Sequence, residues 1–358
     1  MNKKRIHYLD VLKGLSIIMV VYCHYTIIAE KSILGNFLMC LASFGVPVFF
    51  MVSGGLLHSI DQFDTRKYSK RVFRIYFLIV IWKSIYFILS CLYKSINISI
   101  LPLLSYLFLF GNYDGVSAEV LWFMYAYILV LMIYPISWFL LNSLPEGRKL
   151  YVFLMVIAFI NGIFINSSNL IFSFIAAHTT LPELNINLLA TVLPFNGYSN
   201  IVFYFMMGGF LVHEQEYLRM KYKVLTVGRI LPFLMAIIGL LGLIEIKHFQ
   251  AGTFRWANVN IVGGYSYAST VLLSIGIFLI AQTKNLRNSM IELIGRNTLG
   301  IYFLHFILLD FLANRYYHYL DPNNLFAMNT LKTIIVTLMC LIITLVLKKI
   351  PGVKEIVR

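Results

Sequence analysis

Residues 5–28 read RIHYLDVLKGLSIIMVVYCHYTII, a run long and apolar enough to form a transmembrane helix, yet it carries Asp10, Lys13 and His24. Lys13 and His24 stand eleven residues apart. On a helix that is about three whole turns, so both side chains point the same way, roughly 16 Å apart along the axis. Ionisable groups inside a membrane are costly and usually face a bundle interior or a wet cavity. Such a helix therefore reads as a functional element, with a plainer alternative in which Lys13 snorkels to the surface and His24 only packs.

Of the 358 residues, 60% are hydrophobic and 12% charged, against about 25% charged in soluble domains. The composition excludes a soluble enzyme and predicts an all-α, polytopic membrane bundle, one integral domain over 1–358 with no soluble appendage. Ten apolar runs of spanning length fall at about 8–28, 36–57, 73–93, 119–141, 150–168, 198–213, 229–246, 259–281, 291–313 and 327–348. Alternate loops then hold 21 Lys and Arg on one side and 6 on the other, which puts both termini in the cytoplasm. The net charge of +14 is thus a topology signal rather than a nucleic-acid surface. Cys23, Cys40, Cys91 and Cys340 lie in or beside apolar runs without CxxC spacing, so neither a disulfide framework nor a metal site is indicated.

Lys83 lies near the middle of the third run and needs a carboxylate or a polar cavity, Glu119 being the nearest partner in sequence. Leu101–Phe110, Leu170–Ala177 and Leu188–Phe195 are too short to span and read as interfacial or re-entrant pieces on the outer side. The outer segment 169–197 has no Lys or Arg but carries His178 and Glu183. It is either the lip of an outer substrate site or an ordinary connector.

Arg71 and Arg74, three residues apart before the third span, project from one helical face at the height expected for Lys13. Three such cations suit phosphates, Arg as a bidentate donor and Lys as a point charge, although the positive-inside rule alone also puts Arg there. His305, with Tyr302 one turn earlier, falls in the outer half of the ninth run, at a depth similar to that of His24 and Glu119. Two imidazoles and a carboxylate are groups suited to proton transfer near neutrality. A cationic inner mouth with a histidine roughly 16 Å deeper fits a phosphate-bearing cytoplasmic donor with a long thin arm.

Four blocks carry a resemblance to the acyltransferase-3 family of bacterial integral membrane O-acyltransferases. They are YLDVLKGLS with Lys13 and His24, VPVFFMVSGG at 46–55 with Ser53 and Gly54, KRVFRI at 70–75, and LGIYFLH at 299–305. LWFM at 121–124 is similar to a further block, but Val120 stands where many members have His, and Tyr76 lies where the family has Pro. The resemblance implies transfer of an acyl group, usually acetyl, from cytoplasmic acetyl-CoA to a hydroxyl of a cell-surface glycan or its lipid-linked precursor. His24 would be the base or acyl carrier, tuned by Glu119 or His305, and Lys13, Arg71 and Arg74 would hold the donor. Tyr302, Ser53 or Lys83 would meet the substrate. A bacterial cytoplasmic membrane location follows, with lipids, acyl-CoA and the acceptor as partners and neither metal nor nucleic acid. A transporter or flippase of a glycan or small solute is the alternative from another class.

Overall fold

The structure is a computed structural model that describes residues 5–24, 33–93, 96, 98–109, 111–116, 119–144, 146–195, 197–215, 227–254, 261–316 and 325–357. In chain order the helices are α1 (His7–Cys23), α2 (Ile33–Ala42), α3 (Gly45–His58), α4 (Thr65–Tyr93), α5 (Ile100–Phe108), α6 (Trp122–Asn142), α7 (Gly147–Phe159) and α8 (Ile165–His178). They continue as α9 (Leu189–Val192), α10 (Ser199–His213), α11 (Val227–Phe254), α12 (Ala268–Lys284), α13 (Ser289–Gly295), α14 (Thr298–Tyr316) and α15 (Leu325–Leu347). No strand occurs among the described residues. A chain without water around its backbone must satisfy each N–H and C=O internally, and helices do this within one segment.

Over their described residues the ten apolar runs lie largely on helix, with 36–57 divided between α2 and α3 and 291–313 between α13 and α14. Among the described residues six helical stretches are long and apolar enough to cross a membrane: Leu34–His58, Thr65–Leu92, Trp122–Asn142, Gly147–His178, Ile230–Lys247 and Phe326–Leu347. Ser199–His213, Ala268–Lys284 and Thr298–Leu312 are shorter apolar helices. α1 is 17 residues long and ends at Cys23, earlier than its apolar run, because His24 turns to an extended backbone (φ −81°, ψ 135°). The rest of that run lies outside the described residues.

Leu170–Ala177 is not a separate re-entrant piece. α7 and α8 are one continuous rod joined by a π turn at Ile160–Phe164. Leu101–Phe110 largely coincides with α5, and Leu188–Phe195 holds only the single turn of α9.

Helix pairs close through glycines, as expected where no hydrophobic force drives apolar helices together and packing decides. A Cβ at Gly54 would overlap the Phe205 carbonyl, and one at Gly208 the Met51 carbonyl, so α3 and α10 touch backbone to backbone. Likewise a Cβ at Gly14 would overlap the Ile291 carbonyl and one at Gly295 the Asp10 carbonyl, which clamps α1 to α13. At the start of α4, Asp64 accepts a hydrogen bond from the Lys67 backbone N–H at 3.0 Å, a helix-end contact that holds its carboxyl below the usual carboxylate range.

The chain after α15 turns at Gly352 (φ +83°), a conformation that favours glycine, and runs back against α4. There the Trp82 indole N–H donates to the Ile356 carbonyl at 3.0 Å, and Val357 is fully buried. Trp82 in turn stacks on Phe303 of α14, centroids 4.6 Å apart and planes at 6°.

Candidate functional site

A cavity of about 250 Å³ lies along α1. α1 contributes Lys13, Val20, Cys23 and His24 to its wall, α3 contributes Val46, Phe49 and Ser53, and α14 contributes Thr298, Leu299 and Tyr302. Ile75 of α4, Trp122, Phe123, Met124 and Tyr127 of α6, and Tyr265 before α12 complete most of the rest. Four residues singled out in the sequence, Lys13, His24, Ser53 and Tyr302, thus line one cavity. Helical spacing of eleven had put Lys13 and His24 on the same side, and both do face the same space.

The basic end of the cavity is balanced by carboxylates. Lys13 Nζ lies 2.7 Å from Asp10 Oδ1, and Arg5 reaches the other Asp10 oxygen at 2.6 Å. His7 Nδ1 is 3.0 Å from Glu292 Oε2, and Arg5 lies 3.8 Å from that same oxygen. Arg74 Nη2 stands 3.4 Å from Glu355 Oε2. Arg71 is exposed, makes no ion pair with a described residue, and lies within electrostatic reach of Tyr127 and Tyr134. Neither arginine is in the cavity wall, although Ile75, next to Arg74, and Tyr127, within electrostatic reach of Arg71, are.

The histidine end has a defined hydrogen-bond pattern. His24 Nδ1 lies 2.7 Å from the Val20 carbonyl, which only an N–H satisfies, so in the neutral ring Nε2 carries the lone pair. His305 repeats the arrangement, its Nδ1 2.5 Å from the Tyr302 carbonyl. The His305 ring is fully buried and its Nε2 has no hydrogen-bond partner among the described residues. The two imidazoles touch edge to face, centroids 5.0 Å apart and planes at 78°. Tyr302 donates its hydroxyl to the Val120 carbonyl, pinning the turn that leads into α6. Beside it Trp122 stacks on Tyr265, centroids 5.9 Å apart and planes at 21°.

Lys83 does not line this cavity. Its buried ammonium donates to the carbonyls of Tyr106, at 2.6 Å, and Gly111, at 3.3 Å, and sits 4.6 Å from the Tyr106 ring centroid. It holds α5 and the turn beyond it against α4. Glu119 begins the turn before α6, and its side chain lies outside what the structure describes. Among the described residues no three of His, Cys, Asp and Glu gather as a metal would need.

Tyr265, Tyr127 and Glu355 were not singled out by sequence reasoning. In a chain that is 16% aromatic, nothing marks the tyrosines that turn inward, and no local pattern pairs Arg74 with a carboxylate on the far side of the chain.

A family model described as an acyltransferase domain matches residues 6–349, nearly the whole chain. No curated protein and no solved structure matches.

Proposed function

We propose, since the chain belongs to the acyltransferase-3 family, that this multi-pass membrane protein moves an acyl group, acetyl first among them, from acyl-CoA to a hydroxyl of a cell-surface glycan or its lipid-linked precursor. The observation that carries this reading is a cavity whose wall holds both Lys13 and, eleven residues on, a histidine with an available Nε2. The basic loops support both termini on the cytoplasmic side, and in this reading the Lys13 end opens inward and His24 lies toward the outer surface.

In this reading Lys13, Arg71 and Arg74 hold the donor phosphates, and the pantetheine arm runs past Ala42, Val46 and Phe49, an apolar wall suited to a thin chain. The thioester then ends near His24. Its Nε2 takes the proton of the acceptor hydroxyl while the oxygen attacks the acyl carbon, and the departing thiolate recovers that proton. The same lone pair also suits a transient acyl-imidazole, which a burst of thiol release ahead of acceptor consumption would reveal. His305, against the His24 ring, fixes its orientation and excludes water.

The test is calorimetric titration of acetyl-CoA into the purified protein in detergent, beside an Arg71→Ala, Arg74→Ala double variant, with release of free CoA thiol followed separately. Binding lost in the variant and thiol released by the wild type sustain the reading. A transporter would bind without releasing thiol. No binding by a folded wild type overturns the donor assignment.

A further inference from the structure

We propose that the Tyr265 hydroxyl is the hydrogen-bond donor to the oxyanion of the transfer, an inference that rests on the acyl-transfer reading above. Attack of a hydroxyl on a thioester makes a C–O bond and turns the carbonyl oxygen into an oxyanion. Collapse then breaks the C–S bond, with the proton passing through His24 to the departing sulfur. A preorganised donor at that oxygen is commonly the largest single catalytic term.

Several polar groups of the cavity wall are already committed. The Tyr302 hydroxyl donates to the Val120 carbonyl, the Thr298 hydroxyl contacts the Gly295 carbonyl at 3.4 Å, and Lys13 pairs with Asp10 at the far end. Tyr127 lies within electrostatic reach of Arg71. Tyr265 lines the cavity and its hydroxyl, like those of Tyr127 and Ser53, bonds to no described residue. Its position is nonetheless fixed. The Tyr204 hydroxyl donates to the Tyr265 carbonyl at 2.9 Å, and the ring is stacked on Trp122. Trp122, on which the ring stacks, is two residues from the Val120 carbonyl that Tyr302 holds, and Tyr302 lies against His305, whose ring touches His24. An anchored ring that presents an uncommitted O–H at the histidine end is the arrangement an oxyanion needs. Ser53 also has an uncommitted hydroxyl, but nothing ties it to the His24 end.

The experiment compares Tyr265→Phe with wild type and His24→Ala, using acetyl-CoA as donor, a detergent extract of membrane lipids and lipid-linked saccharides as acceptor, and free CoA thiol as the readout. Tyr265→Phe is expected to lower kcat roughly 10²-fold. Its KM for acetyl-CoA and its thermal unfolding midpoint should stay at wild-type values, since the hydroxyl supports no described contact. A kcat within twofold of wild type, or a rise in KM alone, overturns the assignment while His24→Ala still reports the chemistry. Absence of thiol release by the wild type overturns the acyl-transfer reading itself.

Different contacts carry a second inference: the segment after α15 is a strap that the donor must displace. Glu355 sets its carboxylate against Arg74, and the same strap is pinned by the Trp82 bond to the Ile356 carbonyl and by buried Val357. A carboxylate on a guanidinium occupies the site a phosphate would take. Glu355→Gln should therefore tighten acetyl-CoA binding by calorimetry about three- to fivefold, as fits an exposed pair. The gain should vanish in an Arg74→Ala background. Unchanged or weaker binding by Glu355→Gln, against a wild type that binds, overturns the strap and leaves the donor reading standing.

Discussion

His24 and His305 meet edge to face at 5.0 Å, each with Nδ1 on a carbonyl of its own helix. A ring locked this way at one nitrogen can exchange a proton only at the other. Alanine at His24 removes that atom from the cavity wall and should cut transfer by at least roughly 10³-fold, given what a base or nucleophile contributes. The protein should still elute as a folded monodisperse species in detergent, because His24 lies past the end of α1 and is only half-buried. Alanine at fully buried His305 should cost stability as well, about 2–5 kcal/mol as for other large-to-small core changes. Asparagine there, which can still donate to Tyr302, should recover stability ahead of activity. Full activity in His24→Ala would remove the histidine from the chemistry.

Lys13 is held by Asp10, and Asp10 is shared with Arg5. Replacing Lys13 by Met keeps the stem and removes the charge. Donor affinity should fall about tenfold, equal to about 1.4 kcal/mol, with kcat at saturating donor close to wild type. Asp10→Asn should move in the opposite sense on affinity, since it frees Lys13, and should lower stability because α1 loses its tie to Arg5. Measuring Kd and the unfolding midpoint on both variants separates the two effects. A Lys13→Met variant with unchanged Kd would make the lysine a structural partner of Asp10 only.

Much of this arrangement could be read along the chain. Spacing on one helix put Lys13 and His24 on a common wall, and the depth argument brought His305 near His24. What could not be read depends on contacts between distant segments. Lys83 needed a polar neighbour, but which one depended on α5 folding back over α4 to offer two carbonyls. The apolar run 150–168 reads as ending before a separate piece at Leu170–Ala177. In the helix Asn166 and Ser167 turn their side chains onto the carbonyls of Gly162 and Ile163, so the rod runs on through it. The carboxylates opposite Arg74 and His7 come from far along the sequence, where no periodic pattern reaches.

The Lys83 contacts lead to an outcome unlike that of a substrate ligand. Methionine at 83 leaves the Tyr106 and Gly111 carbonyls without that ammonium in a buried site, worth about 1–3 kcal/mol per unsatisfied group. The unfolding midpoint should drop, and proteolysis should appear first around α5. KM for acetyl-CoA should not move. A variant of wild-type stability with a raised KM would return Lys83 to the substrate.

The close approach of α3 and α10 offers the sharpest test of the architecture. Gly54 sits one residue after Ser53, which lines the cavity, and a Cβ at either Gly54 or Gly208 would meet backbone, which cannot swing aside as a flexible side chain can. Gly208→Ala should therefore cost about 1–3 kcal/mol or more through overpacking and push α3 outward. The displacement should carry Ser53 and Phe49 with it and weaken acetyl-CoA binding, although residue 208 itself is no part of the cavity wall. Alanine at Gly197, where an added Cβ meets nothing within 4 Å, is a poor control because its φ of +85° strains any side chain. A substitution at exposed Phe153 serves better. Gly208→Ala protein with wild-type unfolding and wild-type binding would contradict the backbone contact between these two helices.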